Sequence, residues 1–232
     1  MTRVRGRVAV LLLAGLVTAS CSVQPSGRGV ILGSLGLDAP SSTSVAPPPP
    51  PPPPPRRLEA PTETHTGKGD ATVQLSWPTD VPGYLTFDCP RCDSNIFVHT
   101  DGDENSLINA IGAYHGTVWF NVTEGRDPSR TLTITANYSW TATLSDHRTL
   151  PAVTAGKPYA GKGDAVLVLP AGVTHATFKT GSRGNSAVWV QSGGTMDLAV
   201  NEIGATTSDF PVPGRTLVEV QAYEGQWTFT AS

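Results

Sequence analysis

The sequence predicts an all-β protein: two tandem antiparallel β-sandwich domains behind a signal peptide and a disordered, proline-rich linker. Three observations lead there. Apolar residues alternate with polar ones in short runs, as in Val73, Leu75 and Trp77, in Leu132, Ile134 and Ala136, and in Trp140, Ala142 and Leu144. That period of two, with Gly, Pro, Asn and Asp clusters between the runs, is the pattern of half-buried strands. No window between residues 63 and 232 carries the apolar stripe of a helix. The third observation is that the pattern is written twice.

The duplication is ordered. GKGDATVQL at Gly67 returns as GKGDAVLVL at Gly161, NAIGA at Asn109 as NEIGA at Asn201, PSRTL at Pro128 as PGRTL at Pro213, and ANYSWTA at Ala136 as AYEGQWTF at Ala222. The offsets are 94, 92, 85 and 86 residues. One match arises by chance, but four in the same order mean duplication, and the drifting offset puts the length changes in loops. The step from 85 to 86 places an extra residue near Val218, read here as a bulge. It makes Val218, Val220 and Ala222 the counterparts of Leu132, Ile134 and Ala136. The expected organisation is a signal peptide over 1–20, a linker over 21–63, a first sandwich over 64–145, a connector over 146–158 and a second sandwich over 159–232. Two copies are too few for a solenoid or a propeller.

The amino terminus, MTRVRGRVAVLLLAGLVTASC, has a basic region (Arg3, Arg5, Arg7), an apolar run from Val8 to Val17, then Thr18, Ala19 and Ser20 before Cys21. This is the build of a secretory signal, and the apolar run is too short for a membrane-spanning helix. Small residues directly before a cysteine resemble the lipobox of bacterial lipoproteins, with Thr18 departing from the usual Leu. In that family the cysteine thiol receives a diacylglycerol and the leader is cut before it, which makes Cys21 the expected lipidation site. The implied location is the extracytoplasmic face of the cell membrane. Pro47 to Pro55 are nine consecutive prolines. A run without N–H donors adopts polyproline II at about 3.1 Å per residue, a semi-rigid spacer. The pattern G-x-G-D-x-V…N-x-I-G…W-T, with the lipobox and the spacer, resembles β-sandwich modules of secreted proteins and lipoproteins of actinobacteria. The resemblance implies fold and location, and brings no catalytic residue or ligand.

Charge excludes one class of partner. The chain carries 16 basic and 19 acidic residues, and loss of the three leader arginines leaves 13 against 19. Nucleic-acid binding needs a basic footprint for phosphate.

The repeated GKGD could cradle a phosphate, but a P-loop needs G-x-x-x-x-G-K-[ST] between a strand and a helix. These glycines precede a strand, so the phrase reads as a turn, with Asp70 and Asp164 capping neighbouring N–H groups. Cys89 and Cys92, in FDCPRCDSN, stand where the second copy has FKTGSRGNS. A structural disulfide is the reading. A redox pair would want a helix amino terminus, and zinc would want two more ligands, for which the spacing of His99 and His115 gives no compulsion. DGDENS opens like a calcium loop, but Ser106 and Gly112 stand where an EF-hand needs Gly and Glu, leaving an acidic hairpin tip. Of the five Trp, Trp140 and Trp227 are repeat equivalents and read as core. Trp77, Trp119 and Trp189 have no counterpart and read as buried rather than as sugar-stacking platforms.

No catalytic set, metal site or cofactor motif is expected. The functional expectation is non-catalytic binding or adhesion, with an envelope glycan or protein as ligand and the membrane engaged through the anchor. The alternatives are a purely structural spacer and an enzyme with its site between the domains.

Overall fold

The computed structural model describes residues 58–214, 216–222 and 225–232. Cys21, the leader and the proline run lie outside the described residues.

Among the described residues, sixteen strands follow one another in two sets of eight. The first set is β1 (Glu63–Lys68), β2 (Ala71–Gln74), β3 (Gly83–Cys89), β4 (Asn95–Thr100), β5 (Ser106–Ile111), β6 (Tyr114–Phe120), β7 (Thr131–Thr135) and β8 (Ser139–Ser145). The second is β9 (Tyr159–Lys162), β10 (Ala165–Val168), β11 (His175–Thr180), β12 (Asn185–Ser192), β13 (Thr195–Ile203), β14 (Thr206–Pro211), β15 (Leu217–Ala222) and β16 (Gln226–Ala231). The sheets run β1-β8-β3-β6 and β2-β7-β4-β5 in the first copy, then β9-β16-β11-β14 and β10-β15-β12-β13 in the second. Read strand for strand, the two orders are the same. All ladders between named strands are antiparallel. Each pair of sheets encloses its own core. Leu85, Phe87, Ile96, Leu132, Ile134 and Trp140 fill the first, and Leu167, Phe178, Val188, Val218, Val220, Trp227 and Phe229 the second.

Register confirms which residues correspond. Val73 pairs with Leu132 and Ala71 with Ile134, while Leu167 pairs with Val218 and Ala165 with Val220. The bulge expected near Val218 is not there: β15 pairs without interruption against both β10 and β12. The extra residue is taken up before Leu217, outside the ladders. The register shifts of the structure lie elsewhere, between Val98 and His99 in β4 and between Val188 and Trp189 in β12. They occupy the same place in both copies.

The sandwiches meet through edge strands β6 and β10. Thr117 N–H donates to the Asp164 carbonyl at 3.0 Å, and Trp119 N–H donates to the Glu219 carboxyl at 3.0 Å. Tyr84, Trp119, Val122 and Val166 form a small core in this joint, with Trp189, Met196, Leu150 and Leu217 packed against it. The connector reinforces it: Val153 N–H donates to the Val168 carbonyl, and Val168 N–H to that of Pro151, so the connector runs parallel to β10.

Candidate functional site

The GKGD phrase is the same device in both copies. Gly67 lies opposite Trp140 in the β1–β8 ladder, and a Cβ there would come within 2.3 Å of the indole ring. The indole N–H donates to the Gly69 carbonyl at 2.9 Å, and Gly69 takes a φ of 76°, open to glycine at little cost. In the second copy Gly161 faces Trp227 with a Cβ approach of 2.2 Å, the indole N–H donates to Gly163 at 2.8 Å, and Gly163 has a φ of 68°. The space the glycines leave is filled by a tryptophan ring, which gives them a packing role.

Asp70 and Asp164 do not cap their neighbours as the turn chemistry suggests. Asp70 accepts the N–H of Ala136 at 3.1 Å, and Asp164 that of Ala222 at 3.0 Å. Each carboxylate reaches across to the residue that follows (Ala136) or ends (Ala222) the partner strand, because the left-handed glycine turns the aspartate toward that strand rather than back on its own loop. Asp164 has a second task. Its other oxygen accepts the Tyr114 hydroxyl at 2.7 Å, from the first copy. Burial raises the Asp164 carboxyl above its ordinary pKa, against the pull of the Tyr114 hydrogen bond. Burial, with the Asp164 charge adding, pushes the Tyr114 phenol well above its usual value.

The loop after β3 and its counterpart after β11 close differently. Cys89 and Cys92 form a disulfide with Cα atoms 5.5 Å apart, and the Cys89 sulfur rests 3.4 Å from the Ser139 carbonyl. At the equivalent position Thr180 donates its hydroxyl to the Gln226 carbonyl at 2.9 Å and accepts the Ser182 N–H at 3.0 Å. Ser182 in turn accepts the Gly184 N–H at 3.2 Å. Arg91 in the first loop lies over the Tyr138 ring. Gly163 N–H bonds the Gly225 carbonyl where Gly69 N–H bonds that of Tyr138, which identifies Gly225 as the counterpart of Tyr138. Among the described residues the second copy has neither the bridge nor an aromatic ring at that place; Tyr223, two residues before Gly225, lies outside them.

What remains is an open depression of about 1230 Å³ on the second sandwich, lined by β9, the loop after β11 and β16. Lys162, Lys179 and Arg183 are exposed around it, with Ser182, Gln226 and Thr228 between them. Its described lining contains no carboxylate; Glu224, next to Gly225 in the chain, lies outside the described residues. Register places Lys179, paired with Thr228, where the first copy has Asp88, paired with Thr141.

The other expected site residues are engaged structurally. In DGDENS, Asp101 accepts the N–H groups of Arg130 and Thr131, which help draw its carboxyl below the usual range against a raising effect of burial. Asp103 accepts that of Asp127, and Glu104 those of Val122 and Thr123. These carboxylates pin the loop between β6 and β7. His115 pairs with Asp88 at 3.1 Å on the surface, and His99 lies against Phe97. Among the described residues no three His, Cys, Asp or Glu side chains gather as a metal site. Trp77 and Trp119 are buried, and Trp189 is half-buried in the joint.

Sequence reasoning missed Glu219. It is buried, holds Trp119 N–H from the other sandwich, and accepts from the Gln221 amide at 3.1 Å. Burial pushes its carboxyl up to about 8; its two donors oppose the shift, and the charges of Asp164 and Glu104 add to it. A cavity of about 310 Å³ lies beside it, between Trp119, Trp189 and Met196.

The arrangement thus defines a pair of joined β-sandwiches with one open basic depression. Compared with known proteins, the chain matches no protein-family model and no curated protein sequence. Among solved structures, it is similar to the CUB1-EGF-CUB2 domain of human MASP-1/3, at 8% identity and a TM-score of 0.26, over 74% of this chain and 99% of that one. The CUB1-EGF-CUB2 domains of rat MASP-1 give 7% identity and a TM-score of 0.25, over 73% and 97%. A regulatory subunit of a cAMP-independent protein kinase A from Trypanosoma cruzi gives 8% and 0.24, over 69% and 71%. Scores of this size carry no functional argument.

Proposed function

We propose that this chain is a lipid-anchored protein of the cell envelope that displays two joined β-sandwich modules for non-catalytic binding. The observation that carries the binding role is the asymmetry of the copies. One scaffold is built twice, and at one equivalent place the first copy carries a disulfide and an Arg91–Tyr138 contact, while the second carries a depression ringed by cations. A spacer has no use for that difference. The anchored location is supported by the lipobox-like stretch ending at Cys21 and by the proline run that would lift the modules from the membrane.

Two measurements test the two parts. Cys21→Ser in the full-length chain should move the protein from the membrane fraction to the medium; retention with membranes would end the anchor reading. The mature chain, applied to an array of envelope glycans and peptides, should retain a defined subset. A flat response across the array would favour the spacer.

A further inference from the structure

We infer that the depression on the second sandwich is a binding site for an acidic glycan, one whose repeating units carry a carboxylate or a phosphodiester. The inference rests on the binding function proposed above and names its ligand class.

Three features of the site point to this chemistry. The first is charge set against its background. Residues 58–232 hold ten basic and eighteen acidic residues, yet three of those ten cations ring this depression. None of Lys162, Lys179 and Arg183 has an ion-pair partner among the described residues. Cations without a carboxylate partner among the described residues make a local positive field that attracts anions, although Lys162 also borders the neighbouring pocket lined by Asp88 and Asp164. The second is shape. The cations sit on three separate segments, β9, β11 and the loop after it, so they are spread along an open surface instead of converging on one point. That suits an extended polymer with spaced charges better than a single small anion. The third is the lining between the charges. The Ser182 hydroxyl, the Gln226 amide and the Thr228 hydroxyl offer neutral donors and acceptors of the kind that pair with sugar hydroxyls.

The first copy differs at the equivalent place. There Asp88 stands in place of Lys179, Tyr138 in place of Gly225, and a disulfide clips the base of the loop.

The experiment uses the mature chain and four labelled probes of equal length: an alginate hexasaccharide, a ribitol-phosphate hexamer, neutral isomaltohexaose and hexaglutamate. Fluorescence anisotropy is read at low and at high salt. At least one acidic glycan should bind, with affinity falling as salt rises. Which one binds identifies the anionic group. The triple variant Lys162→Gln, Lys179→Gln, Arg183→Gln should bind at least about tenfold more weakly, about 1.4 kcal/mol. The variant Lys162→Arg, Lys179→Arg should bind nearly as well as the parent. All three side chains are exposed, and an unchanged melting temperature shows that the variants fold. Equal binding of isomaltohexaose removes the charge argument, and equal binding of hexaglutamate removes the sugar argument. Acidic-glycan binding untouched by the triple variant removes the site. If the array yields a ligand that none of these probes resembles, this inference fails while the binding function stands; if nothing binds in either experiment, the binding function itself fails.

Discussion

The two sandwiches share every strand, and among their differences two bear on function: the joint and the loop after the third strand. At the joint, Tyr114, Trp119, Trp189 and Glu219 occupy positions held by Thr206, Pro211, His99 and Thr133 in the other copy, as the ladders place them. Each large or ionisable group is present once, in the copy where it reaches the other sandwich. At the loop, one copy uses a covalent bridge and the other two hydroxyls. The lesson is that the duplicated core keeps the glycine–tryptophan device in both copies while the surfaces around it diverge.

That comparison can be broken most forcefully at Glu219. Its carboxyl sits at about 8 when folded, against 4.5 for the free group. It therefore holds its proton more tightly in the folded chain. The contribution is fully present below about 4.5 and is lost as pH rises from there to about 8, a fall on the order of several kcal/mol. Urea denaturation across this range should show stability declining with pH, and Glu219→Gln should flatten the slope. An unchanged slope would mean the joint does not bury this group. Next in size, Gly67→Ala and Gly161→Ala should each cost about 2 kcal/mol by driving a methyl into the indole. Similar losses in the two are the signature of a shared device, and a loss at one alone would refute it. Removing the bridge with Cys89→Ala and Cys92→Ala should cost no more than about 2 kcal/mol, because so short a loop restrains the unfolded chain little. The variant Cys89→Thr with Cys92→Ala should recover part of that, if the threonine hydroxyl reaches the Ser139 carbonyl as Thr180 reaches Gln226. Smallest is Thr180→Val, at about 1 kcal/mol for its hydrogen bonds, with no effect on the first sandwich.

Much of the fold was legible because alternation and duplication are local signals. Leu132, Ile134, Trp140, Ala142 and Leu144 point inward as their spacing requires. Both halves of the glycine–tryptophan device also stood in the repeat, but 73 residues apart for Gly67 and Trp140 and 66 for Gly161 and Trp227, and nothing local says that a glycine is small for the sake of a particular ring. The depression was illegible for a related reason. It depends on Gly225 replacing Tyr138 beside a loop from a different hairpin, and only the ladders set those residues side by side. The joint left a partial trace: Trp119 and Trp189, which have no counterpart in the sister copy, both lie in it, whereas Trp77, equally without a counterpart, packs in the first core. Glu219 left none, since a glutamate on a strand ordinarily faces water.

The meeting of β6 with β10 has a consequence for handling the protein. Both are outermost strands of their sheets, and an uncovered outermost strand invites pairing with other chains. Here β6 gives N–H groups to Asp164 and Glu219, and the connector at Pro151–Val153 shields β10. Cutting the chain at the connector would bare both strands and the Trp119 side chain together. Either sandwich produced alone should self-associate in light scattering at concentrations where the intact pair stays monodisperse, so the covalent tandem is itself a safeguard against aggregation.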